Sequence, residues 1–167
     1  MIHAVKIRFG SVPAPPFPIP NTDEAPAFTD NVLPSILVHL GVLDLSGATS
    51  HGLHEIFPDA TSEDKINALL DLPPQASPVA AQDTKKKPPK EGPILTKEQA
   101  YLLRAAAVYA CEKIMEYVRG EGQLDHEQKW MKDITFPELD TWLWAIAKDR
   151  PDYRKLERFV LRNTVFF

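Results

Sequence analysis

The chain has a single cysteine, Cys111, among its 167 residues, which allows no internal disulfide, and no Cys/His cluster has zinc-site spacing. Basic charge is also short. A formal net charge of −4 and a pI near 5.7 argue against a dedicated nucleic-acid or membrane-surface binder, which would show a basic face. No apolar run approaches the roughly 20 residues that a bilayer span needs. The first residues lack the charged, apolar, then small order of a secretory leader, so the expected compartment is the cytoplasm. No internal repeat is visible. The five histidines are scattered. His51 and His54 lie three apart in a Gly-containing stretch, a spacing that suits a solvated turn better than a metal site. The length suits one domain with an ordinary core.

Proline divides the chain. Of 16 prolines, all but Pro137 and Pro151 precede residue 100. The run Pro13-Ala14-Pro15-Pro16-Phe17-Pro18-Ile19-Pro20 cannot be helical and reads as part of an extended arm over residues 1–27. Residues 73–95, with Lys85-Lys86-Lys87-Pro88-Pro89-Lys90, hold too few apolar side chains to offset their ordering entropy, and a flexible insertion is expected. Its lysines are better read as solvated than as phosphate ligands.

Helical signals account for most of the remainder. Leu33, Ile36, Leu37 and Leu40 share one helical face, with Asn31 as expected N-cap, Pro34 in the first turn and Gly41 at the end. Thr61 or Ser62 can open a short helix carrying Ile66, Leu69 and Leu70. Thr96 and Gln99 have capping-box spacing before a long helix. Leu103, Ala106, Ala107, Ala110, Ile114 and Val118 form its apolar side, and Gly120 ends it. Thr135 and Glu138 form a second box, before a helix expected to turn Leu139, Trp142, Leu143 and Ile146 inward and to stop at Pro151. Tyr153, Leu156, Phe159 and Val160 suggest one more helix, and Val165-Phe166-Phe167 should dock on the body. Only Val5-Lys6-Ile7-Arg8-Phe9 alternates like a strand. The expected class is mainly α.

Two carboxylates stand at helix entrances beside apolar and aromatic residues: Asp30, after Phe28-Thr29, and Asp140, in Glu138-Leu139-Asp140-Thr141-Trp142-Leu143-Trp144. A carboxylate against apolar surface is costly unless hydrogen-bonded or put to use, so both mark places where chemistry can sit. On spacing alone, helix capping and the helix dipole account for both. Trp142 and Trp144 read as core, Phe28 as a hydrophobic staple, and Arg104 as solvated or paired. Cys111 reads as an inert core thiol, with no cationic neighbour evident to lower its pKa.

These segments resemble those of the queuosine salvage proteins, the queuosine 5′-phosphate N-glycosylase/hydrolases. Phe28-Thr29-Asp30-Asn31-Val32 is similar to the family's Phe-x-Asp stretch in its fungal form. Leu103-Arg104-Ala105-Ala106-Ala107, followed by Cys111-Glu112-Lys113-Ile114, resembles the Ile-Arg-Ala helix. Leu139-Asp140 with Leu143-Trp144 resembles the Leu-Asp-Tyr-x-Leu-Trp-Asp block, and Arg162 with Val165-Phe166-Phe167 the aromatic C-terminus. The four occur in family order. They cover most of the chain outside the Pro-rich stretches and residues 50–95.

The resemblance implies a helical domain similar to helical DNA glycosylases, with residues 1–167 as the C-terminal part of a queuosine salvage domain. It implies hydrolysis of queuosine 5′-phosphate to queuine, without metal or organic cofactor, and a small-molecule nucleotide partner rather than nucleic acid or membrane. Asp30 takes the catalytic role on this reading, and Phe28, Asp140 and Thr141 bind substrate. Three positions depart from the family pattern: Thr141 replaces a Tyr, Ala145 an Asp, and Leu102 a Glu. The family's N-terminal half, which supplies part of the pocket, has no counterpart in the matching segments. An exposed apolar face and little or no queuine release by these residues alone are therefore expected. The alternative is a non-catalytic helical interaction module or inactive fragment.

Overall fold

The computed structural model describes residues 2–23, 25–58, 60, 62–71, 91–120 and 124–164. It is mainly α, with helices α1 (Ile2–Phe9), α2 (Val32–His39), α3 (Glu63–Asp71), α4 (Lys97–Arg119) and α5 (Phe136–Asp149). Two short strands, β1 (Glu91–Leu95) and β2 (Arg158–Leu161), and 3-10 turns such as His126–Asp133 and Tyr153–Lys155 complete the described residues. Among them, no helix is long and apolar enough to cross a membrane.

Local chemistry explains the helix ends. Thr96 accepts the N–H of Gln99 at 3.2 Å and donates its own N–H to the Gln99 side chain at 3.0 Å, the reciprocal box that starts α4. At α5 the Glu138 carboxylate accepts both the N–H (2.8 Å) and the hydroxyl (2.7 Å) of Thr135. Gly120 follows α4, and α5 stops two residues before Pro151. Gly41, just past α2, has φ +73°, where a Cβ would also meet Ile66 at 2.8 Å.

Helix α2 is buried on every side from Val32 to Val38, as expected of a helix that is apolar all round. Leu33, Ile36 and Leu37 pack with Ala107, Cys111 and Met115 of α4 and with Leu139, Leu143 and Ala147 of α5. Val38 belongs to a second cluster, with Leu53, Phe57, Leu95, Leu103, Phe159 and Leu161. The two clusters thus meet on α2.

The strands pair in parallel, with Glu91 opposite Arg158, Ile94 opposite Val160 and Leu95 opposite Leu161. A bulge between Glu91 and Ile94 accommodates Pro93, which has no N–H to donate. At Gly92 the strands approach so closely that a Cβ would lie 2.4 Å from the Arg158 carbonyl oxygen. The opposite edge of β2 is met by side chains of α2 and its entrance. Asn31 donates its amide to the Phe159 carbonyl at 3.0 Å, Ser35 Oγ accepts the Phe159 N–H at 3.2 Å, and His39 Nε2–H donates to the Glu157 carbonyl at 2.9 Å. The three residues lie four apart, on one face of the helix. Buried Ser35 is thereby satisfied.

Several sequence expectations are corrected. Val5–Phe9 lies in α1, not a strand: α1 meets its own backbone hydrogen bonds, whereas a lone strand leaves them open. Its Lys6 pairs with Asp23, and its His3 Nδ1 lies 2.8 Å from Thr22 Oγ1. Residues 13–20 are neither helix nor strand. Tyr153–Val160 is not a helix but a 3-10 turn leading into β2, because β1 and the α2 side chains offer its backbone partners. Glu91–Leu95, placed in the flexible insertion, is strand; residues 72–90 lie outside the described residues, as do Thr61 and Val165–Phe167. Trp142, expected inward, is 40% exposed.

Two outcomes follow from the α2–β2 contact. Ser35→Ala removes the hydroxyl that accepts the buried Phe159 N–H and should cost about 1–3 kcal/mol in urea denaturation, with an unchanged m-value. Burial, the largest influence, lowers the His39 pKa, opposed by its bond to Glu157. The unfolded ring therefore takes up its proton first on acidification, so the contribution is complete above about 6.5 and lost as pH falls through the folded value. Stability should drop as pH falls below about 6.5. His39→Gln, which keeps a donor but does not titrate, should flatten that part of the profile.

Candidate functional site

The segment 28–30 runs between α4 and α5 immediately before α2. Asp30 Oδ1 accepts the backbone N–H groups of Val32 at 2.7 Å and Leu33 at 3.4 Å. Asp30 thus does the capping expected of Asn31, whose side chain is instead taken by β2. Asp30 Oδ2 accepts the indole Nε1–H of Trp144 at 3.3 Å. Asp140 Oδ2 accepts the backbone N–H of Phe28 at 3.0 Å. From α4, Arg104 Nε donates to the Thr29 carbonyl at 2.7 Å. Three helices thereby hold one short segment, and Phe28, Asp30 and Asp140 meet around it.

Asp140 sits in the less hydrated part of this site. Burial, the main cause, and the negative charge of Asp30 push its pKa up, while the Phe28 N–H works against them. Behind it, the wholly buried Cys111 thiol is pushed up to about 12, chiefly by burial and then by the charges of Asp140 and Glu112. The Phe28 ring is not a buried staple. It stands 78% exposed, an aromatic face open to a ligand.

One turn after Trp144, on the same face of α5 as Asp140, Lys148 places its Nζ 5.0 Å from the centre of the Trp144 ring. Arg158, which opens β2, donates Nη2–H to the Ala147 carbonyl at 3.0 Å. Burial lowers the pKa of both cations, and the charge of Arg158 lowers Lys148 further; Asp30 opposes the shift in each. These two and Trp144 are the site neighbours that sequence reasoning missed. The spacing 140, 144, 148 was a readable signal for Lys148. Nothing local pointed to Arg158, which arrives from a strand.

Thr141 is set apart from the other three site residues. Its hydroxyl donates to the Pro137 carbonyl one turn back, at 2.6 Å. Its side chain lines a neighbouring open cleft of about 510 Å³ with Trp130, Glu138, Trp142 and Ala145. There the Trp130 and Trp142 rings meet edge to face at 6.2 Å. His51 and His54 lie in surface turns near Glu98 and Glu55, and among the described residues no three potential ligands gather around a common metal position.

Cys111 reports on the packing behind Asp140. In the native protein at pH 8 its reaction with a disulfide reagent should be slower than in the unfolded chain by roughly two orders of magnitude or more. Rapid labelling of native protein would show that α4 does not close over the site as described.

The chain matches no family model, no curated protein and no solved structure.

Proposed function

We propose that this chain carries the carboxylate site of a queuosine-salvage N-glycosidase, acting on queuosine 5′-phosphate to release queuine. The reading starts from the resemblance of four short segments. The observation that supports it best is the meeting of Phe28, Asp30 and Asp140 across 112 positions of sequence, through the Phe28 N–H on Asp140. The reading carries with it a fold of the helical DNA glycosylase kind and a cytoplasmic setting.

In the reaction, the bond between the base and ribose C1′ breaks, its electron pair leaves with the base, and C1′ gains oxocarbenium character. The Asp30 carboxylate stabilises that cation or captures it covalently. Water then supplies the hydroxyl at C1′, and its proton balances the departing base. Asp140 accepts charge-assisted hydrogen bonds from the cationic amine or ring N–H groups of queuine, and Phe28 stacks on the base. Because the Asp140 pKa is raised, its ionised form is lost earlier on acidification than an ordinary aspartate's. Substrate affinity should therefore fall as pH drops through the mildly acidic range.

A second reading, a non-catalytic helical module, draws on the same geometry. Asp30 Oδ1 is used in capping α2, and the Thr141 hydroxyl is bonded back to its own helix. Separating binding from turnover distinguishes the two. Binding of queuosine 5′-phosphate is followed by calorimetry and queuine release by chromatography. Asp30→Asn preserves the cap, since Asn caps about as well as Asp. It should leave binding and melting of this chain unchanged and abolish release in a protein that joins it to the family's N-terminal half, where release is expected. Asp140→Asn should weaken binding by roughly tenfold, the worth of one charged hydrogen bond. Unchanged release in Asp30→Asn overturns its catalytic role, and absence of binding favours the module.

A further inference from the structure

The cleft beside the carboxylate site is walled by two indoles that the chain leaves without a cation. Trp130, from the 3-10 segment His126–Asp133, and Trp142, from α5, are both exposed. Their ring centres stand 6.2 Å apart and their planes are inclined at 68°, which leaves a corner between them. Elsewhere the chain covers an aromatic ring with a cation of its own: Arg8 over Phe9, Lys113 over Tyr109, Lys148 over Trp144 and Arg150 over Tyr153. Among the described residues no lysine or arginine lies over Trp130 or Trp142.

The polar groups around these rings are mostly acceptors. Asp133, Glu138 and Thr141 line the cleft. Thr141 gives its proton to the Pro137 carbonyl and keeps its oxygen as an acceptor. Glu138 Oε2 takes the N–H and the hydroxyl of Thr135, which hold its carboxyl below the usual carboxylate range and leave Oε1 open. Two cations act on Glu138 from α1, and both are engaged elsewhere. Lys6 pairs with Asp23, while His3 has Nδ1 at Thr22 and Nε2 buried. Neither Asp133 nor Glu138 forms an ion pair within 4.0 Å among the described residues. Ile7, Ile134 and Ala145 supply the rest of the wall as apolar surface.

These features select a ligand. Indole faces are the negative side of the ring quadrupole and attract a diffuse positive charge. The two carboxylates repel an anion and attract a cation. The apolar wall suits N-methyl groups better than a primary ammonium, whose N–H donors would lose water there. We propose that the Trp130–Trp142 cleft binds a quaternary ammonium group, seated in the corner between the two rings with Asp133 and Glu138 as its counter-charges. The inference stands apart from the salvage reading. It concerns the face of α5 next to that of Asp140, and a ligand with neither base nor phosphate.

The site is tested with the full 167-residue chain and two probes, choline and its neutral carbon isostere, which has the same shape without the charge. Binding is followed by calorimetry and by the indole N–H signals in NMR. Choline should shift the signals of Trp130 and Trp142 but not that of Trp144, with an affinity that falls as salt rises. The isostere should bind about tenfold more weakly or not at all. Trp142→Leu, which keeps apolar bulk without a ring face, should weaken choline by about fivefold or more, and Trp142→Phe by less. Asp133→Asn should weaken choline and leave the isostere unaffected. Trp142 and Asp133 are exposed, so melting temperatures should not move. If Trp142→Leu nevertheless destabilises the fold, Trp142→Phe and Asp133→Asn decide. Equal affinity for choline and the isostere marks an unselective apolar groove and overturns the proposal, as does absence of choline binding in the millimolar range. A shift confined to Trp144, or a loss of choline affinity in Asp140→Asn, places the cation at the carboxylate site and also overturns it. Acetyl-trimethyllysine amide carries the same head group on a lysine stem and separates the sources. Tighter binding than choline names a modified protein side chain, weaker binding a free small molecule, and either supports the site.

Discussion

Three side chains four residues apart, Asn31, Ser35 and His39, bind the backbone of β2 from Glu157 to Phe159. A two-stranded sheet has two open edges, and an open edge beside a core leaves buried N–H and C=O groups without water. Here the helix takes the place of a third strand. Phe159 is entirely buried on that account, and α2 joins the two apolar clusters. Asp30 immediately precedes this helix and Arg158 opens this strand. The same contact therefore fixes the two ends of the candidate site relative to each other.

The site divides its charges across a short distance. Asp140 is raised by burial and by Asp30, while Lys148 and Arg158 are lowered chiefly by burial. Each group is held in a less hydrated position than its charged form prefers. Such an arrangement has a stability cost. The two oxygens of Asp30 serve different ends, since one closes the first turn of α2 and the other meets Trp144. Capping keeps its rotamer fixed, which is what a positioned carboxylate requires.

Two of the departures from the queuosine salvage pattern, Thr141 and Ala145, fall four residues apart and line the Trp130–Trp142 cleft. Asp140 and Trp144, which match the pattern, share the neighbouring face of α5 with Lys148. The third departure, Leu102, lies exposed on α4. The differences are thus displaced from the Asp30–Asp140 contact rather than scattered through it. Thr141 spends its hydroxyl proton on its own helix, which leaves its oxygen as an acceptor.

By itself the sequence determined the helices that carry strong local signals. Capping boxes at Thr96 and Thr135, apolar spacing along α2, α4 and α5, and stops at Gly41, Gly120 and Pro151 all act within one or two turns, where neighbours in sequence are neighbours in space. It also placed Asp30 at the entrance of α2. Only the tertiary structure decided the rest. Val5–Phe9 and Tyr153–Val160 are short enough to suit either helix or strand, and the choice fell to the backbone partner each segment met: among the described residues no strand for the first, β1 and the side chains of α2 for the second. Pro93 hid β1, because a proline is tolerated in a strand only where the pairing is already interrupted. The exposure of Phe28, Trp142 and Trp144 was likewise invisible, since an aromatic side chain carries no sign of which side of its helix the core will take. The meeting of Asp30 with Asp140, and of Lys148 with Arg158, depends on contacts between elements far apart in the chain, whose relative placement is set by packing rather than by any local pattern.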